Sequence, residues 1–219
     1  MTSPKERLSH LLELAAQGAG ERAHLAGEVA DLLLDWPAQY PAAMRGTFEA
    51  LLEKIVREMD AAACAELAAR FESRDDFPLS LLNQFFLCAP PAMQDALLAR
   101  NDAAADVACE SVDGEALLAA ARTGGDFAAA LARIAGIPEA VAACVVRDAR
   151  ALATLCKAAG INRATFSAMA ILAGPLRSVH ENFAMLTVFD RVPQNGAAHL
   201  YAFWRAQAET HLAAVERAA

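Results

Sequence analysis

The sequence predicts an all-α protein: an α-solenoid of short stacked helices between an N-terminal helical bundle and a C-terminal helical cap. Apolar residues recur at helical spacing along nearly the whole chain, and strand-like alternation is absent. From Pro78 onwards, residues that start helices recur about every ten to fourteen positions. Because isolated helices of that length are marginal in water, each must bury its apolar stripe against its neighbours, as in a solenoid.

Residues 1–72 are expected to form the N-terminal bundle of four helices. Ser3, followed by proline and then by glutamate, begins the first helix, which ends near position 17. The second helix covers residues 21–36, and the prolines that follow it enforce an extended linker. The third helix ends near Asp60, whose carboxylate can cap the fourth.

Residues 73–174 are expected to hold the repeats and residues 175–219 the capping helices, all in one continuous globular unit. The helix starts predicted in the repeats are Pro78, Pro91, Asp102, Asp113, Asp126, Pro138, Asp148 and Asn162. The tripeptides Gly-Ile-Pro at 136–138 and Gly-Ile-Asn at 160–162 are matched signals, in which glycine ends one helix and the third residue opens the next.

Charge and hydropathy exclude several classes of partner. The chain has 19 basic and 27 acidic side chains and a net charge of -8, the wrong sign for neutralising nucleic-acid phosphates. The mean hydropathy is +0.25, yet no apolar run of about eighteen residues could span a bilayer. The N-terminus lacks the unbroken apolar centre of a signal peptide. We therefore expect a cytoplasmic protein that binds neither nucleic acid nor membrane.

The cysteines fit the same compartment. There are five, an odd number, each among alanines, valines or leucines. This setting predicts buried small hydrophobic residues in a reducing compartment. They are Cys64, Cys88, Cys109, Cys144 and Cys156.

Four stretches of the chain carry a resemblance to a known family. They are ERAHLAGEVADL at 21–32, ELAARF at 66–71 with Pro78 following, LCKAAGINRATF at 155–166 and YAFWR at 201–205. In this order they resemble the bacterial, largely alphaproteobacterial, domain of unknown function 2336. The resemblance implies an all-helical protein with degenerate HEAT-like repeats and supplies no catalytic residue. It thins between about residues 89 and 127, so the number of repeats there stays open.

His24 is the strongest candidate for chemistry. It precedes Leu25, Ala26 and Gly27, an order similar to a histidine phosphotransfer signature, but apolar Ala26 stands where that signature has lysine. A helix histidine between glutamates at i-3 and i+4 is the commoner explanation. No HExxH pair, GxSxG motif or phosphate-binding glycine loop occurs, so the sequence predicts no catalytic residue, no metal site and no cofactor.

Three segments are candidates for a protein interface. Trp36 and Tyr40 each directly precede a proline of the linker, where they either line a groove or anchor two helices together, and we favour the anchor. A mixed-charge junction precedes Pro78 and is either a docking site or a solvated helix end. A third segment has two adjacent rings, one of which could face outward. The last two segments contain Arg74, Asp75 and Asp76, and then Phe85 and Phe86.

Together these observations predict a non-catalytic protein–protein interaction module, a scaffold or adaptor, whose partner is another protein. Two alternatives stay open. One is a phosphotransfer or sensor-partner protein in which His24 accepts the phosphoryl group. The other is a small-ligand-binding helical protein, which would need a closed apolar pocket with a few converging polar groups.

Overall fold

Helices make up the regular secondary structure of the described residues. The computed structural model describes residues 19–72, 74–109, 111–173 and 179–218, with side chains described at 22–72, 74–109, 111–173 and 185–208. No strand occurs in these ranges, so the predicted all-α class is confirmed. The helices are α1 (Ala19–Leu34), α2 (Ala42–Val56), α3 (Ala61–Phe71), α4 (Leu79–Gln84), α5 (Pro91–Asp102), α6 (Gly114–Thr123), α7 (Phe127–Ala135), α8 (Glu139–Arg147), α9 (Ala149–Ala158), α10 (Arg163–Leu172), α11 (Val179–Arg191) and α12 (Gln194–Ala218). The helix predicted from Ser3 lies outside the described residues.

Short polar side chains begin many of these helices, as predicted. Asp60 accepts a hydrogen bond from the backbone N–H of the third residue after it, and Asp113, Asp126 and Asn162 do the same. Asp148 accepts two such bonds at the start of α9. Each bond satisfies an N–H group that has no partner within its own helix, which explains why these positions fix the helix starts.

The helix start predicted at Asp102 is wrong. Asp102 is the last residue of α5, and the next helix begins only at Gly114. The Asp102 carboxylate accepts the backbone N–H of Gly196 at 3.0 Å instead of capping a following helix. Asn195 donates to the carbonyl oxygens of Asp102 and Ala104, at 3.1 and 3.0 Å. A contact with a residue more than ninety positions away has therefore overridden the local signal.

The matched stop signals are confirmed. Gly136 and Gly160 have φ angles of 65° and 72°, a left-handed conformation that side chains with a Cβ rarely adopt. The N–H of the isoleucine after each glycine then donates back into the preceding helix, Ile137 to Ala132 at 3.1 Å and Ile161 to Cys156 at 2.8 Å. Both turns thus close by the same bond.

Backbone contacts divide the chain into two compact units, Met1–Met93 and Gln94–Ala219. The boundaries expected at 72/73 and 174/175 do not coincide with this division, which falls inside α5. The segment after α3 groups with the N-terminal unit because its rings pack there: Phe71 stacks on Phe85 at 5.3 Å between centroids and meets Phe77 edge-on at 5.0 Å. In the same unit Arg70 of α3 pairs with Asp31 of α1.

The C-terminal unit is built around α9. Seven of the ten residues of α9 are buried, and α8, α10, α11 and α12 all contact this helix. Tyr201 of α12 donates its hydroxyl to the carbonyl oxygen of Ala135 at 2.7 Å, and Trp204 is almost fully buried. The helix α12 thus packs against the rest of the unit through two of its large aromatic side chains.

No single helix among the described residues combines the length and the apolar composition needed to cross a membrane, and only α7 with α8, bent by 119° at their junction, meets that test as a pair.

Candidate functional site

Several of the residues expected at an interface meet at one place in the N-terminal unit, which we call the α1–α2 corner. It consists of Trp36 and Tyr40 in the linker, Arg45 and Phe48 of α2, and residues 74–77 of the junction before Pro78. The chain brings these segments together although 31 positions separate Arg45 from Asp76.

The aromatic side of the corner is an anchor. Trp36 meets Tyr40 edge-on at 5.6 Å between ring centroids and lies 5.9 Å from the buried ring of Phe48. Pro41, in an extended conformation, ends the linker directly before α2. Trp36 and Tyr40 nevertheless stay partly exposed. The linker therefore fixes both rings against α2 and leaves part of each accessible.

The charged side of the corner is centred on Asp76. Its carboxylate accepts hydrogen bonds from Arg45 Nη2 at 2.7 Å and from Arg74 Nε at 2.9 Å. These two guanidinium groups hold the pKa of Asp76 well below its usual range, the bond from Arg74 contributing most. Hydrogen bonding to Asp76 in turn raises the pKa of Arg45 and of Arg74.

Both arginines also cover the ring of Phe77, with Cζ at 4.9 Å for Arg45 and 5.6 Å for Arg74 from the ring centroid. Arg74 Nη1 donates to the carbonyl oxygen of Leu34, the last residue of α1, at 3.4 Å. This bond joins the charged side to the linker that carries Trp36. The junction is thus an ordered ion-pair cluster over a buried ring.

Sequence reasoning missed Arg45 and Phe77. The spacing of Arg45 and Glu49 is visible in the sequence, and their ion pair at 3.0 Å forms as such spacing predicts. Nothing local points from Arg45 to Asp76, because that contact depends on how α2 packs. A phenylalanine directly before Pro78 was the only signal for Phe77.

The expectation that Phe85 or Phe86 is exposed is wrong. Both side chains are 0% exposed. The expectation assumed that Leu81 and Leu82 already supply the core stripe of this segment, but α4 ends at Gln84 and residues 85–88 form a turn. That turn directs both rings into the core, so neither contributes to a surface.

The expectation of five buried free cysteines is met only by Cys156. Cys64 of α3 and Cys88 after α4 form a disulfide, with Cα atoms 6.1 Å apart. Cys109 and Cys144 are free but only partly buried. Burial raises the pKa of the Cys156 thiol far above its ordinary value, so this thiol stays protonated and unreactive. The two bonded residues are 24 positions apart, a spacing that carries no sequence signal.

His24, the candidate phosphoryl acceptor, is exposed on α1. Glu28, one helical turn later, is exposed as well. Within the described residues no group of three or more His, Cys, Asp or Glu side chains is arranged to hold a metal ion.

The C-terminal unit has a cleft of about 300 Å³ between the starts of α6 and α10. Asp113 and Asn162 line it, but each already accepts a backbone N–H of its own helix. Glu115 adds a second carboxylate. The cleft is open and polar, unlike the closed apolar pocket that a small-ligand protein would need.

The end of α10 exposes two large apolar side chains, Ile171 at 57% and Leu172 at 50%. They provide a second apolar surface, and it belongs to the other unit.

The chain matches no family model, and no curated protein or solved structure is significantly similar to it. The resemblance to the domain of unknown function 2336 therefore stays a prediction.

Proposed function

We propose that this protein is a non-catalytic protein–protein interaction module, a scaffold or adaptor, that binds a partner protein at the α1–α2 corner. The observation that carries the proposal is the grouping of Trp36, Tyr40, Arg45 and Arg74 on one accessible site. Tryptophan, tyrosine and arginine are the residue types that supply most of the binding energy in protein interfaces.

The corner is already ordered without a partner. The rings are held by Phe48, and the two arginines are held by Asp76 and Phe77. Binding to such a surface loses little side-chain entropy, which favours affinity. The acidic net charge of -8 favours encounter with a basic partner.

Three further parts of the proposal concern architecture and setting. Support for a HEAT-like arrangement comes from α6 to α10, in which consecutive short helices pack against each other in chain order, and from α12, which packs on α9 as a cap would. The proposed location is the cytoplasm. The family resemblance implies that the cell is bacterial. A role in signalling is part of the proposed function.

The test is affinity capture of the full chain from native extract, followed by mass spectrometry. We expect one specific protein partner, and at least a tenfold loss of its capture with Trp36→Ala. Because Trp36 packs on Phe48, the thermal midpoint of the variant is measured as well, so that unfolding is separated from loss of the binding surface. Ile171→Ala with Leu172→Ala is the matched control, since it removes apolar surface from the other unit.

The charged side of the corner needs a paired design. Reversing Asp76 alone breaks its ion pairs with both Arg74 and Arg45, whereas the triple change Arg74→Asp, Asp76→Arg and Arg45→Gln restores a pair of opposite orientation and removes the like charge beside position 76. Loss of capture in the triple variant, with its thermal midpoint retained, would assign these charges to the interface. Loss of capture only in the Ile171→Ala, Leu172→Ala control would move the interface to α10. If a metabolite is retained and no protein is captured, the interaction proposal is wrong.

His24 supports one alternative, histidine phosphotransfer, because its exposure on α1 makes the imidazole accessible to a phosphodonor. Exposed Glu28, one turn away, opposes it, since a carboxylate repels the incoming phosphoryl group. Incubation with a phosphorylated donor domain tests it. Acid-labile phosphate that is present in the wild type and absent in His24→Ala would establish this alternative, and equal labelling of both would exclude it.

A further inference from the structure

We propose that Cys64 and Cys88 form a reversible thiol–disulfide couple that sets the stability of the N-terminal unit. The two residues connect α3 to the turn that follows α4, and their Cα atoms, 6.1 Å apart, lie within the range that a disulfide spans without backbone movement. The bond closes a loop over 24 positions. That loop contains residues 74–77 of the α1–α2 corner.

The reduced state of this pair is accommodated by the same fold. Cys88 Sγ lies 3.2 Å from the carbonyl oxygen of Phe85, a distance at which a free thiol donates a hydrogen bond. Cys64 is only 8% exposed and packs on the buried face of α3 as a small apolar side chain. The stacked rings of Phe71 and Phe85 hold α3 against the turn independently of the disulfide. Reduction therefore removes the covalent link without removing the contact beneath it.

The difference in exposure between the two cysteines determines which of them reacts first. Cys88 is partly exposed whereas Cys64 is buried, so a small thiol or disulfide such as glutathione reaches Cys88 first. In oxidation, the Cys88 thiolate attacks one sulfur of glutathione disulfide and expels one glutathione thiolate. The Cys64 thiolate then attacks the Cys88 sulfur and expels the second. The protein loses two protons and two electrons, and glutathione disulfide is reduced to two thiols.

Oxidation stabilises the unit because the closed loop restricts the unfolded chain. Loop closure over 24 positions predicts a rise of roughly 15 to 25 °C in the thermal midpoint of a unit of this size. The chain offers a probe for this unit alone, since its two tryptophans are Trp36 and Trp204, one in each unit.

The first measurement counts thiols. The native full chain is equilibrated in buffers of increasing glutathione disulfide content, then denatured, alkylated and weighed by mass spectrometry. We expect five alkylated cysteines in reducing buffer and three in oxidising buffer. Cys88→Ser gives four in both buffers. Cys144→Ser, the matched control, keeps the difference of two.

The second measurement follows Trp36 fluorescence during heating of the Trp204→Phe variant in both buffers. We expect a midpoint higher by roughly 15 to 25 °C on oxidation, and no difference between buffers when Cys88→Ser is added. A pair that never forms, or that forms and resists reducing buffer in the native protein, overturns the proposal. So does a pair that opens and closes without moving the midpoint. None of these outcomes depends on a binding partner.

Discussion

The two units of the chain are stabilised by different kinds of contact. In the N-terminal unit, contacts between side chains distant in sequence connect the helices: the Cys64–Cys88 disulfide, the ion pairs of Asp76 and the stacked rings of Phe71 and Phe85. The C-terminal unit also contains large buried side chains, such as Trp204, and adds small residues at its contacts, as along the alanine-rich buried face of α9. At Gly196, α12 lies against the backbone of α5.

This difference predicts opposite sensitivities. A unit that depends on large side chains loses stability when they are truncated, because a cavity remains. A unit that depends on close approach loses stability when a small residue is enlarged, because a tightly packed backbone has no room to move.

Phe85→Ala should destabilise the N-terminal unit by about 3 to 5 kcal/mol, since it removes a fully buried ring that stacks on Phe71. Urea denaturation followed through Trp36 fluorescence in a Trp204→Phe background measures it. Leu172→Ala, measured through Trp204 in a Trp36→Phe background, is the control. It should cost less than about 0.5 kcal/mol, because its side chain is half exposed. A similar small loss for Phe85→Ala would mean that the ring stack contributes little.

Gly196→Ala should destabilise the C-terminal unit by about 1 to 3 kcal/mol or more. A Cβ at this position would lie 3.2 Å from the backbone nitrogen of Asp102 and closer still to the carbonyl oxygen of Leu98. Gly46→Ala, in the middle of α2, is the matched control. A Cβ there meets nothing within 4 Å, so the change should stabilise by about 0.5 to 1 kcal/mol through helix propensity. Equal effects of the two substitutions would contradict a close approach at Gly196.

The sequence predicted those parts of the fold that depend on neighbouring residues. The caps at Asp113, Asp126 and Asn162 and the left-handed glycines 136 and 160 all act within one helical turn. Such contacts are encoded by residue types a few positions apart, so reading the chain finds them. The aromatic anchor at Trp36 and Tyr40 was predictable for the same reason, because the linker prolines restrict both residues.

Contacts between distant segments were not predictable. Arg45 reaches Asp76 across 31 positions, Cys64 reaches Cys88 across 24, and Asp102 binds the N–H of Gly196 across 94. From neighbouring residues alone, Arg45 and Asp76 are equally well explained as solvated charges, the two cysteines as buried thiols and Asp102 as a helix cap. Tertiary packing chose between the alternatives, and it overrode the local signal at Asp102 and at Phe85.

Asp126→Ala should cost the C-terminal unit about 1 kcal/mol, because the carboxylate accepts the N–H of Ala129 at 3.1 Å at the start of α7. The urea midpoint read through Trp204 in the Trp36→Phe background measures the loss. Asp106→Ala is the matched control, an exposed aspartate in the irregular segment between α5 and α6. It should change stability by less than about 0.5 kcal/mol. A larger loss in the control would show that general charge, and not capping, determines the effect.

Asp76 tests how much charge contributes to the stability of the N-terminal unit, and the expected change in stability is small. Its pKa is depressed in the folded protein by Arg74 and Arg45, so the ionised carboxylate stabilises the fold above its unfolded pKa of about 4. That stabilisation is lost as the pH falls from about 4 towards the folded pKa. Since the side chain is 45% exposed, screening limits the contribution to about 1 kcal/mol at most.

Asp76→Asn mimics the protonated carboxyl group. The variant should therefore be less stable than the wild type at pH 6, and the difference between the two should shrink as the pH falls below about 4. Urea midpoints read through Trp36 at several pH values measure this convergence. Added salt at pH 6 should narrow the difference as well, because the ion pairs are partly exposed. A difference that is constant with pH and salt would mean that Asp76 acts through its hydrogen bonds and packing. The N-terminal unit would then depend on the covalent link and the rings, and not on charge.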